Sequence, residues 1–224
     1  MELEAIKKTP ADQQAADALR QKIISGELAL GERLIEATLA ERFALSRGTI
    51  RAALHQLARE GLIIQVPYTG WSVMVLTTRD VWELFTLRAS LESLASRLAS
   101  EQLDAEGRAT LKAAYAALVD ASRTRSPAII AEADFRLHKT IIDLSGHSRL
   151  RQQYRLVEQQ IRLYIVSGDS KIVDERIVLA HHKAIVDAIL AQDAPEAARL
   201  AEEHNNSEGK KLLERIERQR HLIS

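Results

Sequence analysis

Cysteine is absent from all 224 residues, which excludes disulfides and thiolate chemistry and leaves the redox compartment undetermined. Net charge is absent too. The 31 Lys and Arg balance 31 Asp and Glu, and the N-terminal third is close to balanced as well, so bulk charge lends no support to nucleic-acid binding. No apolar run approaches the roughly 18 residues needed to span a bilayer. The opening MELEAIKKTP lacks the apolar centre of a signal peptide. No repeat or low-complexity tract is visible. These absences lead to the expectation of a soluble, cytoplasmic protein with no membrane partner. What is present, 46% hydrophobic and 28% charged residues, is ordinary for a folded chain of one large or two smaller domains.

One stretch organises the reading: EATLAERFALSRGTIRAALHQLAREGLIIQVPYTGWSVMV, from Glu36 to Val75. Leu39, Ala40 and Phe43 give a first short helix an apolar side. Ala44 and Leu45 make a turn, and Ser46 is placed to accept from the orphan amides of a second helix. In that helix Ile50, Ala53, Leu54 and Leu57 form one inward stripe. The opposite face at its start carries Arg47, Gly48, Thr49, Arg51 and Ala52. Exposed cations and a hydroxyl on the first turns suit contacts with phosphates and base edges in a major groove. The plain alternative is two packed helices with a solvated basic face. Two short β-branched runs follow, 62–66 and 71–75, separated by PYTG, with Gly70 available for a positive φ. A helix over about 11–25 precedes them, and 27–34 reads as a connecting loop. The order is that of a winged helix-turn-helix.

After Val75 the periodicity is helical throughout. Breaks near 102–104, 126–127, 145–146, 168–170 and 193–195 leave about six helices, approximately 79–101, 104–124, 127–144, 147–167, 172–191 and 194–218. Short loops favour antiparallel neighbours in a bundle. The expected architecture is mainly α: a DNA-binding domain over 1–76 and an all-helical effector-binding and dimerisation domain over 77–224.

Polar groups on the bundle's apolar stripes carry the chemistry. Ile130, Asp134, Leu137, His138 and Ile141 share a face, with Asp134 and His138 one turn apart. A carboxylate there needs a cation, a hydrogen-bond network or a metal. Val178, His182, Ile185 and Ile189 form another stripe, with His181 nearer its flank beside Ile177 and Ala184. His204 follows Leu200 and Ala201. Asp193 makes a good N-cap at the connection, with Pro195 in the first turn and Glu196 three beyond the cap. His182 precedes Asp193 by eleven residues and His204 follows it by eleven. In antiparallel helices rising about 1.5 Å per residue, equal counts set the two imidazoles level. Three imidazoles and one carboxylate suit a divalent transition metal: zinc first, with nickel, iron or manganese as alternatives. Each histidine taken singly reads as an ordinary hydrogen-bonded residue, and His147, His181 and His221 keep that reading. Arg88 interrupts the stripe Val81, Leu84, Phe85, Leu91 and Ala95. It either pairs with Glu92, four residues on, or faces a cavity where its guanidinium can clamp a carboxylate. Tyr154, Glu158 and Arg162 share a helical face, and they or Tyr164 line the pocket or are solvated.

The run IISGELALGERLIEATLAERFALSRGTIRAALHQLAREGLI resembles the N-terminal domain of GntR-family transcriptional regulators. The second half resembles the metal-binding, all-helical effector domain of their FadR-type subgroup, and the likeness extends over about 19–213. It implies a metal held by Asp134, His138, His182 and His204, all four positions being filled. It also implies that Arg88 helps to hold a carboxylate effector over the metal. Two departures stand out. The family's usual Ser-Arg-Thr-Pro-Val-Arg-Glu is here Ser46, Arg47, Gly48, Thr49, Ile50, Arg51, Ala52, and the wing PYTGW lacks the customary basic residues.

The resulting expectation is a ligand-responsive transcriptional regulator, a repressor and not an enzyme, acting as a homodimer on palindromic double-stranded operator DNA. Ser46, Arg47, Thr49, Arg51 and Gly70 are its candidate DNA contacts. A small organic acid at the metal and Arg88 would favour one placement of the two domains. The rival readings are a bundle-type metalloenzyme acting on a small carboxylate, with Glu92 or Glu158 as base, and a metal-free sensor whose histidines bind the ligand directly.

Overall fold

The computed structural model describes residues 9–75, 77–167 and 175–221, with side chains described for all of these except 164–167, 175–178 and 219–221. The chain divides into two compact units, one drawn from Met1–Val75 and Gln159–Asp169, the other from Leu76–Glu158 and Ser170–Ser224.

The first unit begins with α1 (Ala11–Ile24), which buries Ala15, Ala16, Leu19 and Ile23. Next comes β1 (Arg33–Leu34), then α2 (Glu36–Phe43), α3 (Arg47–Arg59), β2 (Ile63–Val66) and β3 (Gly70–Val73). α1 packs on α3 and α2 on α3, because the stripe Ile50, Ala53, Leu54 and Leu57 of α3 is wholly buried. Arg20 of α1 closes this packing at the far end of α3, donating to both carboxylate oxygens of Glu60 at 2.7 and 2.8 Å. Between α2 and α3 the chain reverses through Ala44 at φ 52°, the left-handed conformation that lets a helix stop abruptly.

The sheet corrects one expectation. Residues 27–34 were read as loop, yet Arg33 and Leu34 form a third strand, in the order β1-β3-β2, paired antiparallel with Ser72 and Trp71. Two residues carry no alternation of their own, and only β3 makes them a strand. The hairpin register pairs Ile63 with Val73 and Val66 with Gly70, leaving Pro67, Tyr68 and Thr69 as the turn. Gly70 takes φ 98°, and Tyr68 also lies in the left-handed region at φ 63°.

After the hairpin, α4 (Thr78–Glu101), α5 (Ala105–Arg123), α6 (Pro127–Leu144), α7 (Ser148–Ser167), α8 (Glu175–Leu190) and α9 (Ala194–His221) match the six expected helices to within a few residues; all lie in the second unit except α7 from Gln159 onward. The expected break at 168–170 lies outside the described residues, as do the side chains of Tyr164, Ile177, Val178 and His221. The ends of the helices follow local chemistry. Thr77 and Asp80 form a reciprocal capping box on α4. Asp104 caps α5 through the amide of Gly107 at 2.7 Å, and Asp193 accepts from the Glu196 amide at 3.2 Å. α4 packs along α9, α5 along α6, and α8 against α9, α5 and α4. Their shared core includes Ala95, Leu111, Leu118, Leu137, Ile141, Ile142, Ile185, Ile189 and Ala201.

α4 and α9 approach most closely at Gly209, where an added Cβ would lie 2.6 Å from Phe85 Cβ and 2.8 Å from its Cγ. A methyl group there has nowhere to go without moving backbone. Gly209→Ala is therefore expected to destabilise the protein by about 1–3 kcal/mol, although alanine is the better helix former by about 1 kcal/mol. Chemical denaturation followed by circular dichroism reads the sign, and a rise in stability would contradict the close approach.

Candidate metal centre and nucleic-acid interface

Four helices of the second unit converge on one buried carboxylate. Glu92 of α4 is 3% exposed. Arg88, one turn earlier and 4% exposed, donates Nε to it at 2.6 Å. Tyr154 of α7 donates its hydroxyl at 2.9 Å, Asn205 of α9 its amide at 2.8 Å, and His138 of α6 lies with Nδ1 2.7 Å away. Burial alone would raise the Glu92 carboxyl, but Arg88, His138 and the donated hydrogen bonds hold it well below the usual carboxylate range. Burial and the neighbouring carboxylate push the Tyr154 hydroxyl well above its ordinary value, so it stays a donor.

With Nδ1 of His138 directed at Glu92, its Nε2 is the ring nitrogen left to point elsewhere. That nitrogen lies 3.0 Å from His182 Nε2 on α8 and 3.8 Å from an Asp134 oxygen on α6. The other Asp134 oxygen is 2.8 Å from His182 Nε2. His204 of α9 completes the group, its ring centroid 4.5 Å from that of His182 and 5.3 Å from that of His138. The two histidines eleven residues either side of the α8–α9 connection thus stand side by side. All three imidazoles are buried, and one nitrogen from each lies within 4.8 Å of the others. Burial, then the His182 and His138 rings, push His204 well below its ordinary value and keep it neutral. Its Nδ1 is buried with no hydrogen-bond partner among the described residues. The Asp134 carboxyl, which burial would raise, is instead held far below its usual range by the two nearest imidazoles. Three buried imidazoles grouped together, an ionised carboxylate against two of them and the orphaned Nδ1 of His204 are a donor set that fits a divalent transition metal.

Arg88 takes the first of its two readings, the pair with Glu92. It is ion-paired with Glu92, and its Nη2 is buried without a hydrogen-bond partner among the described residues. The sequence reading did not find Asn205, and it gave Glu92 only as a helix neighbour or a base. The signal for Glu92 was its spacing from Arg88 on an apolar stripe; Asn205 carries no signal beyond its place next to His204. His181 lies with His204 and Glu208 in a second, more exposed group, and His147 caps α7 by accepting from the Leu150 amide at 3.2 Å.

In the first unit α3 starts as its cap predicts, Ser46 Oγ accepting from the Thr49 amide at 3.1 Å and lying 2.8 Å from the Thr49 hydroxyl. Arg47 and Arg51 are exposed on the face away from the buried stripe. They differ in company. Arg51 donates through Nε and Nη2 to Glu36 of α2, the shortest contact being 2.8 Å. Glu36 also accepts from Trp71 Nε1 at 3.1 Å. Arg47 has no ion-pair or hydrogen-bond partner among the described side chains. At the wing tip Tyr68 is fully exposed, and a Cβ on Gly70 would meet nothing within 4 Å.

A capped helix presented on a helix-turn-helix with a wing, joined in one chain to a helical bundle with a buried polar centre, defines a DNA-binding transcriptional regulator. Residues 11–73 match the family of bacterial regulatory proteins called gntR, and 83–207 match the FCD domain. The chain belongs to the GntR family and carries an FCD effector domain; it is a regulator and not an enzyme. It is 27% identical over 216 residues to the helix-turn-helix regulator YdhC of Bacillus subtilis, covering 94% of this chain and 95% of that one. It is 31% identical to the Escherichia coli regulator YieP, covering 81% and 86% of the respective chains. In structure it is similar to a GntR regulator from Rhodococcus, with a TM-score of 0.77 at 23% identity over 92% of this chain and 98% of that one. Among the described residues no helix is long and apolar enough to cross a membrane.

The buried Arg88–Glu92 centre makes a stability prediction. Glu92→Ala strips the counter-charge from Arg88 and the acceptor from Tyr154 and Asn205 together. It is expected to cost about 3–5 kcal/mol in urea denaturation of metal-free protein, whereas Arg123→Ala, breaking an exposed pair with Asp120, leaves the midpoint unchanged. Equal midpoints for all three proteins would remove the centre from the stability argument.

Proposed function

We propose that this protein is a bacterial transcriptional repressor whose FCD domain binds a divalent metal and a small organic acid, and whose winged helix reads a palindromic operator as a homodimer. The single observation that carries the effector half is the grouping of His138, His182 and His204, with an Asp134 oxygen 2.8 Å from His182 Nε2. A divalent cation held by those four residues would supply a fixed positive charge that attracts an anion. Arg88 offers a second cationic donor to the same carboxylate, oriented by Glu92 at its other edge. Zinc suits the nitrogen-rich donor set best, and nickel, iron or manganese use the same ligands.

The DNA half rests on α3. Arg47 is free to meet DNA, Arg51 reaches it by exchanging Glu36 for phosphate or a base edge, and Ser46, Thr49 and the backbone at Gly70 add neutral donors. A dimer follows because one short helix reads too few base pairs, and two-fold proteins read palindromes. Repression is supported by relatives: GlaR of Escherichia coli is named a transcriptional repressor, and a Paenarthrobacter nicotinovorans relative a probable repressor of a D-xylose utilisation operon. A regulator of chromosomal operators works in the bacterial cytoplasm.

Metal analysis of the purified protein tests the centre: wild type is expected to carry close to one equivalent and the His182→Ala/His204→Ala variant almost none. Equal content in both would sink the metal reading and leave the metal-free sensor. For the DNA half, Arg51→Ala is expected to weaken operator binding about ten- to a hundredfold; unchanged affinity would remove Arg51 from the interface.

A further inference from the structure

The wing poses a charge problem. Its turn, Pro67, Tyr68 and Thr69, holds no basic side chain, yet a wing that meets duplex DNA faces a line of phosphates. The third strand supplies a cation from elsewhere in the chain. Arg33 pairs with Ser72 in the β1–β3 register, and its guanidinium runs back along β3 toward the tip, where Nη2 donates to the Thr69 carbonyl at 2.7 Å. That contact spans 36 positions of sequence, which is why the wing reads as uncharged from its own residues.

Three other cations of this unit are already neutralised locally. Arg20 pairs with Glu60 and Asp17, Lys22 with Glu27, and Arg51 with Glu36. Arg33 is exposed and has no carboxylate within 4 Å among the described residues. A guanidinium has five N–H donors in a rigid fork; Thr69 takes one, which orients the group and leaves its other donors facing solvent. Beside it the tip is open, with Tyr68 fully exposed and nothing among the described residues within 4 Å of a Cβ on Gly70. A planar, oriented, unpaired guanidinium at an open edge matches a phosphodiester in charge and shape.

We propose that Arg33, carried on β1 and latched to the wing tip through Thr69, is the wing's contact to the DNA backbone. The assignment rests on the reading of this unit as the DNA-binding head. Because the contact is to phosphate, it contributes to affinity on any sequence and carries no base preference.

The test titrates full-length protein against two fluorescent duplexes, one of mixed sequence and one recovered by in vitro selection with the wild type, across a salt series. Arg33→Gln is expected to weaken binding to both by the same factor, roughly five- to tenfold near 0.1 M salt, and to reduce the slope of log K against log salt by about 0.9. Arg33→Lys, which keeps the charge, is expected to retain the wild-type slope. Circular dichroism and melting of each variant establish that the head is folded. An unchanged slope in folded Arg33→Gln overturns the assignment. So does a loss confined to the selected duplex, which would mean base reading, or an equal loss of slope in Arg33→Lys, which would mean that only the latch matters. Wild type binding neither duplex would overturn the DNA-binding reading itself, a different failure from wild type binding both while Arg33→Gln matches it.

Discussion

An ionised carboxylate buried in a helical bundle is costly unless every lone pair is met, and Glu92 meets that condition with groups from four helices. Arg88 comes from its own helix, His138 from α6, Tyr154 from α7 and Asn205 from α9. Each of these bonds sets the rotation of a helix about its axis, so the centre fixes how the bundle's inner faces are aimed. Its most important consequence is chemical. By accepting from His138 Nδ1, Glu92 determines which nitrogen of that ring points at Asp134 and His182. The ligand-like group is therefore oriented by a residue that is not part of it.

The recognition head uses the same device at its surface. Glu36 accepts from Arg51 and from Trp71 Nε1, and Trp71 meets the His55 ring edge-on at 4.8 Å. One carboxylate thus ties α2, α3 and β3 together and holds the Arg51 guanidinium in a defined place. Exposed as it is, this pair contributes little to stability. Its effect is on preorganisation: an arginine already held in a fork geometry loses less freedom when it meets DNA. Arg47 and Arg33 lack such an acidic partner among the described residues and are available without exchange.

Much of this was legible beforehand. The helices of the bundle came out within a few residues because helical hydrogen bonds and stripes are local, repeating every three to four positions. Asp134 and His138 were legible as a pair for the same reason, and His182 with His204 because equal distances from one turn imply equal heights in antiparallel helices. The role of Arg88 was legible only as alternatives, and the tie of Arg51 to Glu36 carried no signal. Whether Arg88 pairs with Glu92 depends also on how α6, α7 and α9 surround that carboxylate, and the pair forms. Asn205 was silent, since a single amide on a polar helix carries no periodic signal. The strand Arg33–Leu34 was silent too, because two residues acquire strand structure only from the β3 edge they meet.

The sequence by itself determined the class of fold, the order of elements and which residues lie on which helical face, since each of these is set by neighbours within about one turn. The capped start of α3, with Arg47 and Arg51 on its exposed side, belongs to that part. Only the tertiary structure decided which charges are paired. It brought Glu36 to Arg51 across 15 positions, Arg33 to the wing across 36, and Asn205 to Glu92 across 113. Coulomb and hydrogen-bonding energies act over a few ångströms of space whatever the separation along the chain, so which cations are free to meet an anion is written in packing and not in spacing.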